Sequence, residues 1–473
     1  MNAAKKPCRV GKVVKSNPIT PASFQPAVPA FDAKTVAEQL DLWRLEGIKG
    51  SHARRSANGE FMVLSGDDFN RLLRRHGVRL RPLEGEVLSD ADQLKDYLQD
   101  HRRVDATMDN LAGYGAGVYQ VSGAFMMVKK SPRLIQPVAG DCSLILRLIE
   151  RMLPEENGWS QVMLFHAWMK HCLDQKVKRG LALIIAGPID CGKSMLPYLI
   201  ASPLLGGRSA DPGPHMFGDT DFNAELFGSE HLQMEDPAPK HHFSRTVFAE
   251  NIKRIVANNT ARFHPKGRDA ITLTPKWHLS ISLNDEPETM KILPELREDV
   301  ADKILMLRAQ RPFEDELLKL PQNHEREEFA QRIASVLPAY VHYLNRLTVP
   351  EAYQGARFGV KAWQNPSLST DLFDSTPAGR LLALIDETFL WTADMAEGME
   401  QGCGSFAEIR TEMERHITWG DEAKGFFKVN RIEQLLGRLV KSHPTRIERH
   451  RITSGNRKGN YYWKVMAPKP AVV

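Results

Sequence analysis

Residues 187–194 read Gly-Pro-Ile-Asp-Cys-Gly-Lys-Ser, which fits the spacing G-x-x-x-x-G-K-[ST] in full. Each residue type has a physical task in that pattern. Gly187 and Gly192 let the backbone wrap closely enough for successive N–H groups to hold phosphate oxygens. Lys193 brings an ammonium to the β- and γ-phosphates of ATP, and the Ser194 hydroxyl is a ligand for Mg²⁺. Pro188, Ile189, Asp190 and Cys191 complete the loop, and Met195 follows it, so residues 187–195 are the candidate ATP-binding segment. Cys191 is read as a tolerated small residue rather than a nucleophile. The competing reading is a glycine-rich turn before an ordinary helix.

Two further groups lie downstream. His-Leu-Gln-Met-Glu-Asp at 231–236 is a short strand-like segment ending in two acids. Such a pair serves ATP hydrolysis: one carboxylate (Glu235) for the hydrated Mg²⁺, the other (Asp236) to orient and deprotonate the attacking water. In residues 275–287, Trp277, Leu279, Ile281 and Leu283 alternate with polar residues up to Asn284. An amide at that strand end can bond the γ-phosphate and the lytic water without adding charge; the alternative is an Asn that merely opens a turn.

The elements that must position these groups are legible in the pattern. The apolar run Leu181 to Ala186 is a buried strand leading into the loop, with a helix expected to start near Ser194. Residues 181–310 alternate strand, helix and loop, the signature of a parallel sheet in an α/β fold. Upstream, 117–137 suggests two strands around Ser122-Gly123. Amphipathic helices are expected over 142–153, with Asp141 as N-cap, and over 160–175. Residues 325–347 read as a helix containing Pro338, and 365–377 as a linker. The chain has 473 residues, enough for about three domains. With 42% hydrophobic and 26% charged residues and a net charge of +5, it is expected to be a globular protein whose overall charge does not select a partner. The five scattered cysteines include no C-x-x-C pair, which opposes a disulfide framework and a zinc site and suits a reducing cytosol. No membrane-length apolar run or secretory signal stands out, so no membrane association is expected.

The ordered set of loop, acidic pair and terminal asparagine, with residues 248–275 between the last two, resembles the superfamily III helicases. These are AAA+ ATPases of small viruses, phages and plasmids, and the similarity is strongest to the ATPase part of phage-type primase–helicases. Leu-Leu-Gly-Gly-Arg (204–208), residues 218–226, 293–307 and 357–366 also match, and the resemblance covers roughly 110–375. It implies that Gly187, Gly192, Lys193 and Ser194 are Walker A, Glu235 and Asp236 are Walker B, and Asn284 is the sensor asparagine. It implies that residues 253–266 end in a hairpin projecting into a channel, with His264, Lys266 and Arg268 at a DNA-contacting tip; a solvated hairpin tip is the alternative. It implies a homo-oligomeric ring, a hexamer in many relatives, in which a cation acts on the neighbour's site. The family's arginine pair is replaced by Asp302-Lys303, so Arg297, Lys303 and Arg308 are all candidates, and Arg297 is favoured because its fork suits phosphate. The first 110 residues lack the carboxylate cluster of a primase, so a separate primase or replication protein is the expected partner.

The expected domains are a disordered tail over 1–30, an N-terminal accessory domain over 31–135 and a helical collar over 136–180. An AAA+ core over 181–315, a helical extension and linker over 316–375, and a winged-helix-like domain over 376–473 complete the set. In the accessory part, a helix with Arg71, Arg74 and Arg75 reads as a solvated face. In the last domain, helices are expected over 378–390, 405–416 and 430–442, followed by a hairpin over 446–465. From 441 to 464 there are seven Lys/Arg and one acid, Glu448, which favours a polyanion. Arg431 and Arg438 on the last helix, and Arg457 and Lys458 at the hairpin turn, are the DNA-binding candidates. Tyr461, Tyr462 and Trp463 either stack on bases or pack inward.

The expected function is an ATP-dependent DNA helicase that translocates on single-stranded or forked DNA in replication of a phage or mobile element, in a bacterial cytoplasm. The alternatives are an ATP-regulated origin-binding initiator and an ATPase regulator or defence component without unwinding activity.

Overall fold

The computed structural model describes residues 31–46, 51–121, 123–174, 180–221, 223–239, 244–264, 271–322, 324–389, 400–454 and 458–467. The expected tail over 1–30 lies outside them. The chain divides into two compact units, one drawn mainly from residues before 103 and the other holding almost everything after.

In the first unit the helices Ala33–Gln39, Gly66–Arg75 and Asp90–His101 bury Ala37, Phe69, Leu73, Leu94 and Leu98 around the strand residue Leu42. Ser65 and Ser89 start two of these helices by accepting the N–H of Asp68 and Asp92, which offsets donors that a helix end leaves unpaired. Arg71, Arg74 and Arg75 are exposed, and Arg71 pairs with Asp68 one turn back.

The second unit is organised by a six-stranded sheet in which every pairing is parallel. Its order is Ser209–Ala210, His231–Glu235, His278–Asn284, Ala182–Gly187, Ile304–Arg308 and Trp363–Gln364. Ala182–Gly187 is buried at every position, as a central parallel strand covered on both faces must be. The helices Ser143–Met152, Gln161–Leu173 and Arg326–Arg346 share one continuous apolar core with this sheet. The His166 ring bonds the Tyr340 hydroxyl at 2.8 Å inside that core. Burial pushes the His166 imidazole down to about 4, so it packs as a neutral group. The two strands expected around Ser122-Gly123 are Gly117–Val121 and Ala124–Val128, which pair antiparallel, and Ala106–Met108 joins them; Ser122 lies outside the described residues.

Three local readings are corrected and one is refined. The helix expected near Ser194 begins at Met195, and Leu196–Ala201 within it winds as a π-helix. The N-cap of Ser143–Met152 is Cys142, although the Asp141 carboxylate takes the Ser143 N–H at 2.8 Å. The stretch read as a linker contains the helix Pro366–Asp374, because Asn365 caps it and Leu368 and Leu372 bury one side. Near the C-terminus, the helix Gly420–Val429 and the strand Glu400–Gly404 stand beside the expected elements. Gly420 and Gly425 make that helix read as a loop.

Residues 376–467 surround a second core. Pro377–Thr388, Phe406–Arg415, Gly420–Val429 and Ile432–Ser442 are its helices, and Ser405 and Glu408 form a capping box. The sheet order is Glu400–Gly404, Tyr461–Met466, Ile447–Arg451, antiparallel throughout. Leu381, Leu384, Leu436, Leu439, Ile447, Trp463 and Val465 meet between helices and sheet.

Candidate nucleotide site and nucleic-acid interfaces

Parallel register brings the chemistry to one edge. Gly187 lies opposite Asn284, Ala186 opposite Arg308, and Glu235 opposite Ser282, so the loop, acids, amide and an arginine all emerge at the carboxyl ends of adjacent strands. The asparagine strand stands between the P-loop strand and the acidic strand. Gly187 is required sterically: a Cβ there would meet the Ala309 carbonyl oxygen at 2.6 Å. Gly192 turns the loop with φ +81°, and Asp190 also sits in the left-handed region at φ +57°.

Lys193 is 6% exposed, and its Nζ donates to Asn284 Oδ1 at 2.6 Å and approaches the Pro188 carbonyl at 3.5 Å. Among the described residues it forms no ion pair. A buried ammonium held only by neutral oxygens is costly without an anion, which is the condition a triphosphate relieves. The donor set therefore fits a nucleotide. Glu235 and Asp236 are both exposed, and Asp236 turns the chain with φ +37° while its N–H donates to the Ser282 carbonyl at 2.9 Å. Gln233 bonds the Glu235 carboxylate. Ser194 is half-buried in the turn just before Met195. Cys191 is buried, and burial pushes its thiol up, which opposes a nucleophilic role.

Behind the edge runs a polar ladder that sequence reasoning missed. The Ser202 hydroxyl bonds His231 Nδ1 at 2.5 Å, and His231 Nε2 bonds the Ser280 hydroxyl at 2.7 Å. His231, Gln233 and Glu235 on one strand, and Ser280, Ser282 and Asn284 on the next, recur at the two-residue period that puts side chains on one face. Burial drives the imidazoles of both His231 and His278 down to about 3. The available signal was the same alternation that exposed the apolar half of residues 277–283.

The three candidate trans cations are sorted by their surroundings. Lys303 is buried, donating to Asp302 at 2.6 Å and to the Asp299 carbonyl at 2.9 Å. Arg308 bonds Ser367 at 3.0 Å and pairs with Asp285 at 3.3 Å, beside its own P-loop strand. Arg297 has a side chain 57% exposed, 3.9 Å from Asp299. Lys303 is thus withdrawn from any neighbour, because its ammonium closes a turn of its own chain.

The strands Ala261–Phe263 and Ile271–Leu273 pair antiparallel, and the backbone N–H of half-buried His264 donates to Asn223 Oδ1 at 2.9 Å. Lys266 and Arg268 lie outside the described residues, as does Arg457. Arg431 is the N-cap residue of Ile432–Ser442, and Lys458 is exposed. Arg438 departs from the open placement expected of a DNA-binding residue: its guanidinium pairs with Glu295 at 3.2 Å, 143 residues away. That pair lines a cleft of about 1460 Å³ that also contains Arg297, Asp374, Lys441 and His443.

No protein-family model matches the chain, and no curated protein matches it in sequence. Among solved structures, the apo C-terminal region of NrS-1 (residues 305–718) is similar in fold, with a TM-score of 0.51 and 11% identity over 92% of this chain and 98% of that one. Another apo form of that region gives a TM-score of 0.47 and 11% identity over 75% and 78%. JCV helicase gives 0.26 and 13% identity over 50% and 59%, too loose a likeness to carry an argument. The fold is a mixed α/β, P-loop ATPase-like one. Among the described residues no helix is long and apolar enough to cross a membrane, and no cluster of His, Cys, Asp and Glu is built to hold a metal by itself.

Proposed function

We propose that this chain is an ATP-dependent DNA helicase of the superfamily III type, working as a homo-oligomeric ring on single-stranded DNA during replication of a phage or other mobile element. The observation that carries the reading is the buried Lys193 ammonium, 2.6 Å from Asn284 and without an ion pair among the described residues, with Glu235 and Asp236 at the end of the next strand. Lys193 and the loop from Gly187 to Met195 bind and orient the triphosphate. Asn284 sits on the Lys193 ammonium and is placed to share the γ-phosphate with it. Asp236 takes the proton of the attacking water, and Ser194 and Glu235 hold Mg²⁺, which when bound neutralises charge developing on the phosphates.

Arg297 is the cation offered to the adjacent subunit, since it is the most exposed of the three candidates and its carboxylate contact, 3.9 Å to Asp299, is the loosest. The hairpin ending in His264, Lys266 and Arg268 grips the strand. Residues 376–473 form a winged-helix-like DNA-binding domain, with Arg431, Arg457 and Lys458 on its DNA side. Arg438 joins them only when it leaves Glu295.

Unwinding of a forked duplex, measured beside ATP hydrolysis with and without single-stranded DNA, tests the proposal. The expected result is DNA-stimulated hydrolysis and ATP-dependent strand separation. Tight site binding that leaves strands paired would instead mark an initiator, and hydrolysis indifferent to DNA would mark a regulator.

A further inference from the structure

The hairpin of the C-terminal sheet sorts its charges by face in a way that composition does not reveal. Along Ile447–Arg451 and Tyr461–Met466, the register pairs Ile447 with Val465, Arg449 with Trp463 and Arg451 with Tyr461. Period-two alternation puts these six residues on one face and Glu448, His450, Tyr462 and Lys464 on the other. The single acid of the hairpin is thereby removed from the first face. It is also occupied, since the Glu448 carboxylate bonds His450 Nε2 at 2.8 Å, and the His450 ring stacks on Tyr462.

The first face changes character along its length. Ile447, Trp463 and Val465 are buried under the helices. Further out, Arg449 and Arg451 are exposed and Tyr461 is 45% exposed. The Arg449 guanidinium lies 4.7 Å from the Tyr461 ring centroid and 5.7 Å from that of Trp463. Among the described residues neither arginine has a carboxylate partner. Stacking fixes the plane of a guanidinium while leaving its edge N–H groups to solvent, so the donors are pre-oriented for an oxyanion.

From this we infer a binding site that the helix and turn residues do not account for: Arg449 and Arg451 take successive phosphates of a single nucleic-acid strand, and the Tyr461 ring is the ledge for an unpaired base. The inference rests on the nucleic-acid reading proposed above and specifies which surface of the C-terminal domain holds the strand. A phosphate-binding pair beside an exposed aromatic ring is the chemistry of strand recognition without base reading. With Arg438 held by Glu295, this face presents two arginines that form no ion pair among the described residues, beside an exposed aromatic ring.

The test is fluorescence anisotropy of the full chain with a labelled oligothymidine and with a duplex, over a salt series. It is carried out in the wild-type chain and in a Lys266→Ala/Arg268→Ala background, so that hairpin binding does not mask the effect. Arg449→Ala with Arg451→Ala is expected to weaken single-strand binding roughly tenfold or more and to flatten the salt slope by roughly 0.7 for each phosphate no longer neutralised. Arg449→Lys keeps the charge but not the stacked fork, so it should weaken affinity several-fold at an unchanged slope. Tyr461→Leu should lower single-strand affinity and leave duplex affinity alone, while Glu448→Gln on the opposite face should change neither. Thermal melts confirm that each variant is folded. Wild-type affinity and slope in the double arginine variant overturn this site while leaving the helicase reading intact. Failure of the wild-type chain to bind any strand overturns both.

Discussion

At the carboxyl edge of the parallel sheet, Lys193 is almost wholly buried and held by an amide and a carbonyl. On the three-stranded sheet near the C-terminus, Arg449 and Arg451 lie in the open with an aromatic ring as support. One sheet converges several groups on a point, and the other spreads cations along a line. The difference matches what each sheet would recognise under the proposed function. A triphosphate is small enough to be surrounded, so a desolvated ammonium becomes strong and selective. A polymer must slide across its site, and exposed, weakly committed cations permit that at the cost of sensitivity to salt.

The sharpest way to break the comparison is Lys193→Ala. If the parallel-sheet edge is a point site, ATP hydrolysis should fall about 10³-fold, the scale for losing a preorganised charge donor, as measured by phosphate release. Trp463→Ala probes the other sheet, where a fully enclosed indole forms part of the C-terminal core. It should cost about 3 kcal/mol in denaturant unfolding of that region, while nucleotide affinity at Lys193 is retained; loss of both would show that the two cores do not behave separately. Asp236→Asn should cut hydrolysis about 10²-fold, the range for removing a general base, with binding of a fluorescent nucleotide analogue preserved. Normal turnover would remove Asp236 from the reaction.

The smallest expected effect is on pH. An unfolded histidine takes up its proton near 6.5, whereas His231 and His278 stay neutral in the fold down to about 3. Acid is therefore absorbed preferentially by the unfolded chain. Their contribution is complete above about pH 6.5 and declines below it. Thermal melts should show a lower midpoint at pH 5.5 than at 7.5, and His231→Gln should reduce that difference.

Much of the parallel sheet was legible because it obeys local rules. The apolar run before Gly187 and the alternation from Trp277 to Leu283 both act over a few residues, and the structure places strands there. The helix Gly420–Val429 was hidden because its glycines speak for a loop while its stability comes from burying Ala423 and Phe427 in a distant core. The Pro366–Asp374 helix was hidden for a like reason, its punctuation being a cap rather than a break.

The sequence alone determined the glycine-rich loop over 187–194, the acidic pair, the strand-ending amide and the basic excess near the C-terminus, because residue type and short spacing suffice for each. Only the tertiary structure decided that Lys193 meets Asn284, that Lys303 is buried while Arg297 is open, that Glu295 engages Arg438, and that Glu448 faces away from Arg449. Those outcomes depend on strand order, register and the packing of segments far apart in the chain. Composition is blind to them, since the same side chains turned to the opposite face would present a different surface to the same ligand.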